Sequence, residues 1–260
     1  MMGNSLKIYW VNFIVIGLVL SFLYVLPALA QPTSLRQFRG SKQLIQVRIE
    51  EATKITSEIE KDKSNLTLYK KRLFLNGELL VLSEDTDDWN IYADKYEADL
   101  SNIIELEKTA RNYDARGRFL IARLNHLSVA NVSDLYPHNR YIDMAASDFL
   151  NAIQLTAPQL RQTYYSNLNL LYRFRPQKLI SAPNFSKWKA LIPYELVRKD
   201  FDLSVKYGQL ALEGVPNSDL LRDLKKQLVI TYLSNADVAA RLGDSATALK
   251  FTQAAQKYRE

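Results

Sequence analysis

The sequence predicts an all-α protein of antiparallel helical hairpins behind an N-terminal targeting helix. Three observations carry this. From Thr33 to Tyr136 there is no Pro and only three Gly, at 40, 77 and 117, while Leu, Ile, Glu, Lys and Ala, all good helix formers, dominate. Pro then clusters at positions 137, 158, 176, 183, 193 and 216, which punctuates a run of shorter helices. Throughout, apolar residues recur at steps of three and four, the spacing of one helix face.

Residues 1–30 read as targeting. They hold no acid and one base, Lys7, and from Phe13 to Ala30 only Ser21 is polar. The stretch ends Ala28-Leu29-Ala30 before Gln31, the small–x–small triplet that a signal peptidase reads. An apolar run of this length also suffices to span a bilayer, so residues 8–30 are expected either to be cleaved at Ala30-Gln31 or to remain as a membrane anchor. Both readings place the rest of the chain outside the cytoplasm, in a bacterial periplasm. The chain has no Cys, so nothing there can be mis-oxidised. The same composition excludes thiol nucleophiles, disulfides and Cys-ligated metal. The formal charge of +6 suggests attraction to anionic surfaces without establishing it.

The expected order is a long-helix half, 31–136, and a Pro-spaced half, 137–260. The first helix begins near Ser34, with Gln37 at capping-box spacing, and carries Ile45, Ile49, Ala52, Ile55 and Ile59. Asp62-Lys63-Ser64-Asn65 breaks it. Leu66, Tyr69, Leu73 and Leu80 continue the period in a second helix, although Asn76-Gly77 is also a hairpin signal. Helix is preferred, since a lone hairpin would lack a sheet. The acidic run Glu84–Asp88 lacks the turn glycine and the closing Glu of a calcium loop and reads as helix-start chemistry. A third helix runs through Tyr92, Leu100, Glu107 and Ala110, and a fourth holds Leu120, Leu124 and Leu127. A loop at 131–140 ends the first half. Helices are then expected at 141–155, 157–174, 193–213, 219–242 and 245–259, the fourth ended by Gly243.

In the C-terminal third, Trp188, Leu191, Phe201, Ser204, Ala211 and Pro216 fall at the mutual spacing of one helical repeat. Tyr232, Ala236, Gly243, Ala248 and Ala255 fall at matching spacing in a second. This resembles the tetratricopeptide (TPR) repeat, a stack of antiparallel helix pairs. Ile192, Pro193, Asn235 and Thr252 depart from it. The resemblance implies an α-solenoid scaffold with a concave face for peptides or partner helices. The matching residues are packing residues and bring no binding site with them.

No catalytic motif stands out, and no catalytic, metal or cofactor residue is assigned. His126 reads as a partly buried structural histidine and His138 as a loop residue near Asp134 and Asp143. Carboxylate pairs such as Glu50-Glu51 read as solvent faces. The most suggestive stretch is 161–175. On a helix, Leu160, Tyr164, Asn167, Leu171 and Phe174 form a core stripe, and Arg161, Tyr165, Tyr172 and Arg175 share the neighbouring face. Arg and Tyr are enriched at interface hot spots, so these four are the expected partner-binding residues, with snorkelling over a core edge as the competing reading. The address argues against nucleic acid. The expected function is a non-catalytic extracytoplasmic interaction scaffold or assembly factor. The alternative is an enzyme or small-ligand binder with a pocket between the halves.

Overall fold

The computed structural model describes residues 41–126, 135–182, 185–216 and 219–258. The targeting segment, its cleavage point and the Ser34 helix start lie outside the described residues. Among the described residues there is no strand, and no helix is long and apolar enough to cross a membrane. The described residues form ten α-helices: α1 Lys42–Lys61, α2 Leu66–Leu82, α3 Thr86–Leu106, α4 Ala110–His126, α5 Leu135–Gln154, α6 Gln162–Ser181, α7 Phe185–Trp188, α8 Tyr194–Leu210, α9 Asp219–Leu242 and α10 Ser245–Gln256. Single 3-10 turns sit at Pro158–Leu160 and Lys189–Leu191. The chain divides into two compact units between Arg123 and Leu124, inside α4.

In unit 1, α1 packs on α2 and α2 on α3. The Asp62 break and the Asp85 start form where the sequence places them. Asn65 caps α2 by accepting the Leu68 amide, and Asp85 caps α3 by accepting the Asp88 amide at 2.7 Å. Asn76-Gly77 is not a hairpin. Both residues lie inside α2, and Asn76 is buried, because its side chain is needed by Asp99 of α3 rather than by a turn. The α1 stripe of Ile45, Ile49, Ile55 and Ile59 packs against Tyr69, Leu73, Leu79, Leu100 and Ile103. The third helix stops earlier than expected: Glu107 is its C-cap, and Ala110 opens α4.

Unit 2 departs further from expectation, mostly at proline. Helix α5 begins at Leu135, so Pro137 and Arg140 belong to it rather than to a loop. Proline is tolerated in a first turn, where its missing N–H has no helical partner to lose. Pro176 lies inside α6, which runs on to Ser181 instead of ending at Phe174. α6 packs against α5, α8 and α9 together, and enclosure on three sides outweighs one lost hydrogen bond. Where the TPR spacing calls for a turn just before Phe201, α8 runs unbroken from Tyr194 to Leu210. The second stretch does form two helices around a turn. α9 ends at Leu242, Gly243 adopts φ +94, where only glycine is unstrained, and Asp244 caps α10 through the Thr247 amide. Ala211 is buried, and Ala248 packs beside Phe251 on the cluster of Leu179, Val197, Phe201 and Val238.

Candidate interaction surface

The four expected partner residues do not form one exposed stripe. Their face of α6 is the face turned to α8. Tyr165 and Tyr172 are half-buried, and their rings stack on Tyr207 of α8 at 6.3 and 5.8 Å with planes within 17° and 11°. Arg175 is only 6% exposed and grips Asp200 of α8 with two hydrogen bonds of 2.6 and 2.7 Å, while its remaining NH1 donates to Asn139. Arg161 precedes the first turn of α6, and its Nε donates to the Thr156 carbonyl at 2.9 Å. The expected core stripe fails at its start. Leu160 sits in the 3-10 turn, out of phase with α6, and is 68% exposed. The misread Arg and Tyr face has a different cause. Two adjacent faces of a helix enclosed on three sides are both interior, so no single stripe marks the core.

Burial sets the chemistry of this face. It pushes the Tyr172 hydroxyl up to about 12, with Tyr207, Asp143 and Asp200 adding to the shift and Arg175 opposing it. It also raises the Asp200 carboxyl, against the pull of Arg175. Tyr172 therefore stays a neutral phenol near pH 7. The Arg175–Asp200 pair holds α6 and α8 in register. Next to it, α6, α8 and α9 meet through neutral polar groups. Asn169 donates to the Ser204 carbonyl at 2.6 Å and accepts from Thr231 at 3.0 Å, and Asn235 donates to the Ser204 hydroxyl at 3.0 Å. Gly208 lets the helices close there, since a Cβ would stand 2.8 Å from both Asn169 Nδ2 and Leu228 Cδ1.

The hydrogen bonds also give the register of unit 2, and with it a surface that sequence periodicity missed. Ser166 pairs with Gln227, and Asn169 with Thr231, so α6 and α9 run in the same direction. Stepping back toward both N-termini brings Leu160 and Leu220 to one end of the unit. Leu155 joins them there, because the Arg161–Thr156 bond folds the α5–α6 turn onto the same end. Leu155, Leu160 and Leu220 are 54%, 68% and 54% exposed. Isolated exposed leucines are ordinary; three toward one end of a helical unit are the candidate contact surface. The only signal for it in the sequence was the proline at 158, which takes Leu160 off the helical phase.

The remaining candidates resolve separately. His126 is exposed at the end of α4 rather than partly buried. The side chain of His138 lies outside the described residues. Glu50 accepts from Gln46, as a solvent-face carboxylate does. Among the described residues, no group of three His, Asp or Glu side chains is placed to hold a metal ion. No protein-family model matches the chain, and no curated protein matches it in sequence.

Proposed function

We propose that the protein is a non-catalytic interaction scaffold or assembly factor that works outside the cytoplasm and holds a protein partner at the leucine end of unit 2. The observation that carries this reading is the exposure of Leu155, Leu160 and Leu220 at one end, while Arg175 and Asp200, Asn169 and Thr231, and Asn235 and Ser204 are occupied with each other inside the unit. Exposed apolar area without a packing role is best accounted for by a partner that covers it. TPR kinship stays part of the proposal for residues 229–260 alone, where α9, the Gly243 turn and α10 supply a hairpin of the expected spacing. The address rests on the apolar segment 13–30 and its Ala28-Leu29-Ala30 end.

Affinity purification of the full chain from solubilised membranes, beside the Leu160→Asp/Leu220→Asp variant, tests the partner surface. The variant should melt like the parent, because neither side chain is in the core, and should lose the protein that the parent recovers. A stable variant that recovers the same protein removes this surface. Sequencing the mature N-terminus tests the address: a start at Gln31, or at Met1 in the membrane fraction, agrees with it, and a soluble cytoplasmic chain starting at Met1 does not.

A further inference from the structure

The opposite end of unit 2 has a different chemistry. There α6 ends, α8 begins, and the Gly243 turn joins α9 to α10. The connection from α6 to α8 is α7 followed by the 3-10 turn Lys189–Leu191. It is fastened from below. Phe185, Ile192 and Tyr194 pack with Leu179, Val197, Phe201 and Val238, the Tyr194 hydroxyl donates to Asp244 at the α9–α10 turn, and Lys189 Nζ lies beside Gly243. Its outer side is unlike an ordinary loop tip. Lys187, Ala190, Leu191 and Pro193 face solvent, and Leu191 at 69% is the most exposed large apolar side chain among the described residues.

The charge around Leu191 is basic. Lys187 and Lys189 precede it in the connection, and Arg198 and Lys199 follow on the exposed side of α8. The acids at this end are engaged: Glu195 with Arg198 at 3.7 Å, Asp237 with Arg241 at 3.2 Å, and Asp244 with Tyr194 and the Thr247 amide. The imbalance extends over the unit. Residues 124–260 hold seventeen Lys and Arg against twelve Asp and Glu, or +5, while residues 1–123 hold seventeen against sixteen, or +1. A protruding leucine in a segment rich in basic side chains suits a lipid surface better than a protein partner. Lys is depleted at protein interfaces, whereas an apolar tip in a basic segment is how a peripheral protein meets anionic headgroups and the acyl boundary together.

We propose that this end of unit 2 docks on an anionic lipid bilayer, with Leu191 entering the headgroup–acyl boundary, Lys187, Arg198 and Lys199 facing the lipid phosphates, and Lys189 adding its charge from beside the Gly243 turn. The proposal stands apart from the scaffold reading, which uses the other end and other residues, so either can fail alone.

The absence of Cys makes the test direct. The full chain with Leu191→Cys takes an environment-sensitive fluorophore at one place, and Leu160→Cys gives an equally exposed control at the other end. Each is mixed with vesicles of phosphatidylcholine alone or of phosphatidylcholine with phosphatidylglycerol. The label at 191 should brighten several-fold and shift to the blue on the phosphatidylglycerol vesicles. The label at 160 should not respond. The response at 191 should vanish when Lys187→Glu and Lys189→Glu are added, and fall in ~0.5 M salt. A 191 label that stays in water while the chain is vesicle-bound overturns the proposal, as does an equal response on phosphatidylcholine alone or at 160. Shielding of 191 by added chain without vesicles assigns the face to a second copy and overturns it equally.

Discussion

In unit 1 the helices meet around a charge. Asp99, fully buried on α3, accepts three hydrogen bonds from the Arg72 guanidinium and one from Asn76, both on α2, and Arg72 reaches on to Thr56 of α1 at 3.0 Å. In unit 2 the central junction of α6, α8 and α9 is made by Asn169, Ser204, Thr231 and Asn235, all uncharged. A buried ion pair, Arg175–Asp200, sits beside that junction. The two solutions differ in what they tolerate. A charged hub fixes register strongly but leaves a buried charge stranded when one partner goes. An amide and hydroxyl hub allows closer helix approach, shown by Gly208, and loses less per missing group. Unit 1 spends its acids on its own cations in this way, while unit 2 leaves a basic surplus on its surface.

The contrast can be broken most sharply at Asp99. Asp99→Ala should destabilise unit 1 by about 3–5 kcal/mol, because Arg72 and Asn76 lose their buried acceptor. Hydrogen exchange read by peptide should show α1–α3 losing protection while α6, α8 and α9 keep theirs. Equal loss in both units would mean that the hub serves the whole chain. Next in size is Gly208→Ala, which should cost about 1–3 kcal/mol despite better helix propensity, since the Asn169 amide in its way is held by hydrogen bonds. Urea unfolding measures it, and a stabilised variant would show that the neutral junction is loosely packed.

Smaller again is Asn65→Ala, which removes the cap of α2 and should cost about 1 kcal/mol, seen as a modest drop in thermal midpoint. The smallest effect is confined to acid. Hydrogen bonds from Tyr194 and Thr247 hold the Asp244 carboxyl at about 2, below the ordinary 3.8. A lowered carboxylate contributes stability above its unfolded value and loses it as pH falls through the folded one. The clasp between α8 and the α9–α10 turn should therefore weaken between about pH 4 and pH 2. Asp244→Asn should flatten that part of the pH–stability curve. An unchanged slope would mean that the Tyr194 contact is not kept in solution.

Legibility tracked how many sides of a helix are covered. α1 is covered on one side, and its isoleucine stripe was readable. α9 was placed at its observed ends, because Asp219 opens it and Gly243 closes it. α6 was misread twice, in its ends and in its faces, because three neighbours bury two adjacent stripes. Arg175 looked like an interface residue for the same reason. Composition says that Arg favours contacts, but not whether the contact lies inside the chain or outside it.

The sequence by itself determined helix type and most breaks, because these depend on groups a few residues apart: at the breaks, Asn65, Asp85 and Asp244 each reach an amide three residues on. It also determined the uneven charge of the two halves, which needs no structure. Only the tertiary structure decided that Asn76 feeds Asp99, that Arg175 belongs to Asp200, and that Leu155, Leu160 and Leu220 share one end while Leu191 stands at the other. Those pairings join residues 23 and 25 apart in the chain for the first two. The leucines come together through a register set by bonds spanning 61 and 62 residues. Periodicity reports one helix at a time, so it carries no information about which neighbour will cover a given face.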